Sequence, residues 1–175
     1  MLQSMRLLAR VGLPLTRGGS VSKRRRALFI GRWQPFHKGH EWLIEQKLGL
    51  GTPVLIAVRD VDPDVDNPLA ADQVAALLRK RYVGEDVAVM VIPDIESINV
   101  GRRVGYAIHE HVPPGDVVSI SGTEIRRQLR AGETGWKTFV DWRLWGDVAA
   151  AYCNHCNHEF HDFATTNFTN FTNWG

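Results

Sequence analysis

The residues that best suggest chemistry in this chain are two histidines, His37 and His40, which lie three positions apart with Gly39 between them. They follow a short apolar run and open a segment with helical patterning, so both imidazoles lie where a helix begins. The free N–H groups and the positive dipole end of a helix attract anions there. Neutral imidazoles also donate hydrogen bonds to phosphate oxygens without a permanent buried charge. This segment therefore predicts a phosphate-binding site.

A second polar cluster, residues 121–126, has the same character. Ser121 and Thr123 offer hydroxyl groups, and Gly122 permits close approach of a phosphate. Arg126 follows one turn into a predicted helix, where a guanidinium makes bidentate contacts with phosphate oxygens. Taken alone, the run Ser-Gly-Thr-Glu is also typical of an ordinary helix cap. It indicates an anion site because the first cluster predicts one as well.

The elements that must position these clusters are predicted from apolar patterning. Strands alternate with helices, which indicates an α/β fold: a Rossmann-like parallel sheet of four to five strands with helices on both faces. The predicted strands are residues 27–30, 53–58, 87–92 and 117–120. The predicted helices are residues 38–48, 70–78, 102–111 and 123–130, with a last helix that Asp141 caps and that buries Trp142, Trp145, Val148 and Tyr152.

Ligands of open parallel sheets bind beyond the carboxyl ends of the strands. Both clusters lie at such ends, and so do further polar residues: Arg59 after the second predicted strand, and Asp94 and Asn99 after the third. We expect Arg59, Asp94 and Asn99 to face a second substrate, the acceptor. An acidic loop, residues 60–68, follows the second strand. It lacks the Gly and Glu that a calcium-binding loop needs, so a solvated loop or a role near the acceptor or a metal remain its alternatives.

Residues 37–40 and 120–126 resemble the two signatures of the HIGH-type nucleotidyltransferase superfamily, which has a cytidylyltransferase-like fold. Residues 31–37, 67–68 and 92–95 are most similar to archaeal-type nicotinamide-mononucleotide adenylyltransferases and to small phage-encoded nucleotidyltransferases. The resemblance covers roughly residues 27–150. It implies transfer of a nucleoside monophosphate, AMP from ATP, to a small phosphorylated acceptor such as nicotinamide mononucleotide, with in-line attack at the α-phosphate and release of pyrophosphate.

The resemblance also implies roles for individual residues. The catalytic residues would be His37, His40 and Arg126, with His40 nearest the α-phosphate. The residues that bind the nucleotide and its phosphates would be Gly31, Arg32, Lys38, Gly39, Ser121, Gly122 and Thr123. Mg²⁺ is the implied cofactor; it would bridge phosphate oxygens, and no protein side chains are expected to form a metal site.

The chain departs from these relatives between the third strand and the second motif. The relatives usually have an additional strand and a Gly-Asn loop there, whereas only residues 93–116 fill the interval here. The choice of base is therefore open, and a cytidylyltransferase that uses CTP is an alternative. A non-catalytic nucleotide-binding module and a structural protein that reuses the fold are the alternatives outside the enzyme class.

Charge and composition suggest three parts: a basic N-terminal extension (1–26), a nucleotidyltransferase domain (27–152) and a low-complexity tail (153–175). The extension holds seven of the 21 Lys/Arg and none of the 19 Asp/Glu, which leaves a net charge of −5 elsewhere. An acidic domain argues against nucleic-acid binding. An Arg-rich, acid-free N-terminus is also compatible with a transit peptide, so an organellar location is the alternative to the cytoplasm.

The remaining expectations concern redox state, metals and partners. The two cysteines, Cys153 and Cys156, are too few for a disulfide framework, which favours a reducing compartment. With His155, His158 and His161 they could bind zinc, although the usual spacer between ligand pairs is missing. We expect a nucleoside triphosphate and a small acceptor as partners, no nucleic acid and no membrane, and a homo-oligomer remains open.

Overall fold

The computed structural model describes residues 25–102 and 105–152. It contains strands β1 (Ala27–Gly31), β2 (Val54–Asp60) and β3 (Val87–Pro93). The helices are α1 (Lys38–Leu48), α2 (Ala71–Arg81), α3 (Gly115–Val118), α4 (Gly122–Arg130) and α5 (Trp145–Tyr152), and two 3₁₀ turns, Gly135–Phe139 and Trp142–Leu144, precede α5. None of the helices in this part of the chain is long and apolar enough to cross a membrane. The predicted N-terminal extension (up to residue 24) and tail lie outside the described residues.

The strands form one parallel sheet in the order β1-β2-β3. Parallel neighbours need a crossover connection, and α1 and α2 supply the two crossovers. The predicted α/β class, a parallel sheet flanked by helices, is therefore confirmed. The described residues contain three strands, however, rather than the predicted four to five.

The predicted fourth strand is wrong. Residues 115–118 instead form the one-turn helix α3, which begins after Pro114 and ends where the Ser119 hydroxyl donates to the carbonyl of Asp116. A four-residue apolar run cannot be assigned to a strand or a helix by periodicity alone. Proline immediately before such a run favours a helix start, because a proline at this point costs no hydrogen bond.

The predicted helix over residues 102–111 is also absent from the described part of that segment. Gly105 has a φ of +75°, which a right-handed helix does not accept. Pro113 and Pro114 follow, and a residue before proline is disfavoured in the helical region. The interval between β3 and α3 is therefore irregular chain, and the described residues show no additional strand there.

One face of the sheet supplies the core. Phe29, Val54 and Ile56 are all buried on it, and helix residues such as Leu78 and Ile125 pack into the same apolar cluster. The opposite face is less covered. The final helix differs in two details from the prediction. Asp141 caps the 3₁₀ turn Trp142–Leu144 rather than α5 itself, and Trp142 is exposed while Leu144 takes the core position.

A charged network fastens the helices to one another. The Arg81 guanidinium at the end of α2 lies 2.9 Å from a Glu41 carboxylate oxygen on α1 and 3.1 Å from one of Asp141, which caps the turn before α5. All three side chains are largely buried. Ion pairs that are removed from water in this way are costly to break on one side only. The network therefore fixes α1, which carries the first motif, against α2 and the C-terminal helices.

Candidate active site

His37 is the residue at which α1 begins, and its side chain caps the helix. The backbone N–H of Gly39 donates to the His37 Nδ1 atom at 3.1 Å. Because Nδ1 accepts a hydrogen bond, the neutral imidazole carries its proton on Nε2. The cap thus fixes the tautomer of His37, and the Nε2–H group is left as a donor.

His40 lies one turn into α1 and is enclosed by aromatic rings. Its ring stacks on that of His37 with centroids 3.8 Å apart, and on that of Phe36 at 5.6 Å. Trp33 meets it edge-on at 5.3 Å, while the Trp33 indole N–H donates to the carbonyl of Ala57 at 3.0 Å. These contacts fix the orientation of the His40 ring. Its Nδ1 atom is buried without a hydrogen-bond partner among the described residues.

Both imidazoles are neutral at physiological pH. Burial, and secondarily the positive charge of Arg126, lowers the pKa of His37 to about 4. Burial, and secondarily the neighbouring His37, lowers the pKa of His40 to about 3. Water is excluded from these rings, so the charged form is disfavoured. Each ring can therefore donate a hydrogen bond without holding a positive charge of its own.

The glycines of the first motif have packing reasons beyond phosphate approach. A Cβ atom at Gly39 would lie 3.0 Å from the His37 ring, and one at Gly31 would lie 2.9 Å from the Trp33 ring. Distances below about 3 Å force a neighbour to move. A side chain at Gly39 would therefore displace the His37 ring, and one at Gly31 would displace the Trp33 ring that packs against His40.

The second motif begins α4 as predicted. Ser121 is the N-cap, and its hydroxyl accepts from the backbone N–H of Glu124 at a long 3.5 Å. A Cβ atom built at Gly122 would lie 3.4 Å from a terminal nitrogen of Arg126 and 3.8 Å from the Nε2 atom of His37. The donor nitrogen of His37, the start of α4 and the Arg126 guanidinium therefore meet at one place, although 85 residues separate His37 from Gly122.

Arg126 is held in position by three separate contacts. Its guanidinium donates to the Thr123 hydroxyl at 3.1 Å and to the backbone carbonyl of Gln34 at 3.3 Å. Its Nε atom also lies 3.6 Å from a carboxylate oxygen of Asp66. The contact with Thr123 lies within the second motif, the contact with Gln34 links the two motifs directly, and the contact with Asp66 joins the acidic loop to the site.

The acidic loop lies against the same site. Arg130, one turn after Arg126 on α4, donates to the Asp66 carboxylate at 2.8 Å and to the Val65 carbonyl at 2.6 Å. At the other end of the site, Arg32 lies 3.3 Å from a carboxylate oxygen of Asp64. The loop thus contacts the arginines of both motifs.

The predicted acceptor residues are only partly brought together. Arg59 and Asp94 form an ion pair, with 2.7 Å between the Arg59 Nε atom and the Asp94 carboxylate, and this hydrogen bond lowers the pKa of Asp94. The positive charge of Arg32 contributes to the same lowering of the Asp94 pKa. Asn99 instead bonds to Ser97 in an exposed loop. Lys38 is exposed at the start of α1.

Three residues near the site were not assigned a role from the sequence: Gln34, Asp66 and Arg130. The Gln34 side-chain amide exchanges two hydrogen bonds with the backbone of Leu69, at 2.8 and 3.0 Å, and so ties the acidic loop to the first motif. The sequence could have indicated Arg130, because it lies four positions after Arg126 and so shares the same face of α4. The pairing of Asp66 with α4 crosses 64 residues and has no local sequence signal.

Within residues 25–102 and 105–152, no group of three or more His, Cys, Asp or Glu side chains is arranged to hold a metal ion. The Cys/His cluster at residues 153–161 lies outside the described part. The carboxylates nearest the site, Asp64 and Asp66, are engaged by arginines.

Comparison with known proteins identifies archaeal relatives that share one name. Nicotinamide-nucleotide adenylyltransferase of Methanocorpusculum labreanum is 25% identical over 145 residues, which is 66% of this chain and 85% of the relative. The enzyme of Archaeoglobus fulgidus is 27% identical over 150 residues, again 66% and 85%. That of Methanococcus aeolicus is 33% identical over 106 residues, 59% of this chain and 60% of the relative. No protein-family model matches the chain.

These similarities agree with the resemblance drawn from the two motifs. They extend well beyond the motifs, since the first two of these alignments cover most of the relative's length. The chain is therefore a relative of the archaeal nicotinamide-nucleotide adenylyltransferases, as its sequence predicted.

Proposed function

We propose that this protein is an adenylyltransferase that joins the AMP portion of ATP to nicotinamide mononucleotide and releases pyrophosphate. The observation that carries the proposal is the meeting of His37 Nε2, the start of α4 and the Arg126 guanidinium at Gly122. Three kinds of anion-binding group, an imidazole N–H, a helix N-terminus and a guanidinium, are aimed at one place. The shared name of the archaeal relatives supports the same activity.

In the proposed reaction an oxygen of the acceptor phosphate attacks the α-phosphorus of ATP. A new P–O bond forms, the bond between the α-phosphorus and the oxygen bridging to the β-phosphate breaks, and pyrophosphate leaves. A phosphate monoester already carries negative charge at neutral pH, so no general base is needed. The task of the protein is to align the reactants and to stabilise charge in the transition state.

The residues divide this task according to their positions. The neutral imidazoles of His37 and His40 donate hydrogen bonds to phosphate oxygens, with His40 assigned to the α-phosphate. Arg126, Thr123 and the N–H groups at the start of α4 bind the β- and γ-phosphates and so stabilise the leaving pyrophosphate. Arg59 and Asp94, together with Arg32, line the side of the site assigned to the acceptor.

Mg²⁺ enters this proposal as part of the substrate MgATP. It would be held chiefly by phosphate oxygens, which is its usual mode in nucleotide sites. The absence of a three-ligand cluster from the described residues is compatible with this mode. The ion would neutralise part of the triphosphate charge beside the acidic loop.

The proposal is tested by incubating the full chain with MgATP and nicotinamide mononucleotide and measuring pyrophosphate and the dinucleotide product together. The two products should form in equal amounts. CTP in place of ATP, and an acceptor without a phosphate in place of the mononucleotide, serve as controls. Product with CTP alone would replace the proposal by a cytidylyltransferase. Saturable ATP binding without pyrophosphate under any acceptor would leave a non-catalytic nucleotide-binding module.

A further inference from the structure

Three arginines of the site, including Arg126, are paired with carboxylates of the acidic loop. Asp66 lies 2.8 Å from Arg130 and 3.6 Å from Arg126, and Asp64 lies 3.3 Å from Arg32. The side chain of Arg126 is only 15% exposed, so few of its donors face water. An anion that binds Arg126 at the start of α4 must therefore share the guanidinium with Asp66 or displace it.

The acidic loop is built as a defined unit at this position. The Asp64 carboxylate accepts hydrogen bonds from the backbone N–H groups of Asp66 and Asn67, at 2.8 and 2.7 Å, which closes a tight turn. Gln34 fixes the end of the loop by its two hydrogen bonds to Leu69. Asp66 thus projects from an ordered turn towards α4, and its contact with the arginines is set by the backbone.

Charge makes Asp66 and a bound triphosphate competitors for the same arginines. ATP carries several negative charges on its phosphates, and even a Mg²⁺ complex remains an anion. A carboxylate within about 4 Å of the same guanidinium repels such an anion and competes for its N–H donors. The competing pair is partly exposed, since Asp66 is 53% and Arg130 43% accessible, so the competition is modest in size and easily reversed.

We propose that Asp66 is an internal counter-ion that competes with the triphosphate for Arg126 and Arg130, so that nucleotide binding displaces the Asp66 end of the acidic loop. Asp66 is then a positioning residue that occupies both arginines in the absence of nucleotide and so lowers nucleotide affinity. This inference rests on the proposed function, because the competitor is the triphosphate of the substrate.

The test compares the full-length wild type with Asp66→Asn by titration calorimetry at about 0.15 M salt, with ATP, inorganic tripolyphosphate and adenosine as probes. Removal of the competing charge is expected to tighten ATP and tripolyphosphate binding about two- to fivefold, the size typical of an exposed ion pair. Adenosine binding is expected to stay unchanged, since it has no phosphate. In turnover assays the KM for ATP should fall while kcat is unchanged.

Asp62→Asn is the matched control. It removes the same charge from the same loop at an exposed position, and general charge effects of this kind are screened at this salt concentration. Equal affinities of the two variants for tripolyphosphate, or weaker binding by Asp66→Asn, would overturn the inference. If either of these results is found while the wild type still binds ATP and makes product, the proposed function stands and only the inference about Asp66 fails. Failure of the wild type to bind ATP or tripolyphosphate would overturn both.

Discussion

At the scale of single residues, the histidine pair combines burial with a fixed donor. His37 accepts from the Gly39 N–H through Nδ1, so its Nε2–H points away from its own helix turn. His40 is enclosed by His37, Phe36 and Trp33. The sequence predicted the donors themselves, since two imidazoles at a helix start suggest phosphate binding. It could not predict the tautomer or the enclosure, because both depend on the backbone and side-chain geometry within residues 33–40, which the residue types alone do not fix.

His40→Ala is expected to lower turnover about 10²- to 10³-fold, as removal of one well-aimed donor does in other enzymes. The measurement is pyrophosphate release at saturating MgATP and acceptor. Glu45→Ala, at an exposed position of the same helix, serves as the control and should keep wild-type turnover. Turnover of His40→Ala within threefold of wild type, with the variant folded by circular dichroism, would remove His40 from the mechanism.

The lowered pKa values of the histidines predict an acid-sensitive fold. Burial, more than neighbouring charge, lowers the pKa of His37 to about 4 and that of His40 to about 3. Below about pH 6.5 the unfolded chain therefore binds protons that the folded chain does not, and stability falls as pH falls. Urea unfolding should show a loss of about 1.5 kcal/mol for each imidazole between pH 6.5 and pH 5.

Substitution of the same residues separates this effect from general acid sensitivity. His37→Gln and His40→Gln should each remove about half of the pH dependence over that interval, because glutamine does not titrate. A variant with the full wild-type slope would show that the replaced imidazole has the same pKa in the folded protein as in the unfolded chain.

At the scale of elements, the site is made by the starts of α1 and α4 meeting beyond the carboxyl end of β1. Both helices begin where the sequence predicted, since the capping residues and apolar stripes are local signals. That the two helix starts lie close together is a property of the whole fold. The sequence indicates it only by analogy with other parallel sheets, which bind ligands beyond the carboxyl ends of their strands.

Gly122→Ala tests the meeting point of these helices. The added methyl group would lie 3.4 Å from Arg126 and 3.8 Å from His37, so the fold accepts it while it occupies the place of a phosphate oxygen. We expect ATP binding to weaken about tenfold or more, because small misplacements at a reacting centre are costly. Gly146→Ala in α5 meets nothing within 4 Å and should bind ATP normally. Equal affinities of the two variants would place the triphosphate elsewhere.

The network that joins α1, α2 and the turn before α5 is tested by Arg81→Met. Its loss leaves the largely buried Glu41 carboxylate without its ion-pair partner, while Asp141 keeps its pair with Arg143, and stability should fall by about 2–3 kcal/mol in urea unfolding. Lys80→Met is the control, because its pair with Asp147 is exposed and should contribute less than about 1 kcal/mol. Similar losses in the two variants would contradict a structural role for the network.

At the scale of the whole molecule, sequence predicted the parts of the fold that have strong local patterns. The three strands and the helices α1, α2 and α4 agree with the predicted segments to within a few residues. The wrong assignments fall between β3 and α4, where apolar runs are short and Gly and Pro are frequent. There the choice between strand, helix and irregular chain depends on tertiary neighbours, which local periodicity does not encode.

The same segment distinguishes this molecule from the pattern its motifs suggest. The described residues contain no strand between β3 and α3. Among these residues β1 pairs with β2 only. The sheet face opposite the core retains exposed apolar side chains, such as Leu28 at 56% and Met90 at 44%. The half of the site that we propose to bind phosphate is nonetheless assembled, because it depends on β1, α1 and α4.

The most direct test of the proposed triphosphate site is a crystal structure of the protein with the non-reactive analogue α,β-methylene-ATP and Mg²⁺. We expect phosphate oxygens within hydrogen-bonding distance of His37 Nε2, the backbone N–H of Gly122 and the Arg126 guanidinium at the same time. A triphosphate bound away from these three groups, in a protein that still makes the dinucleotide, would contradict it.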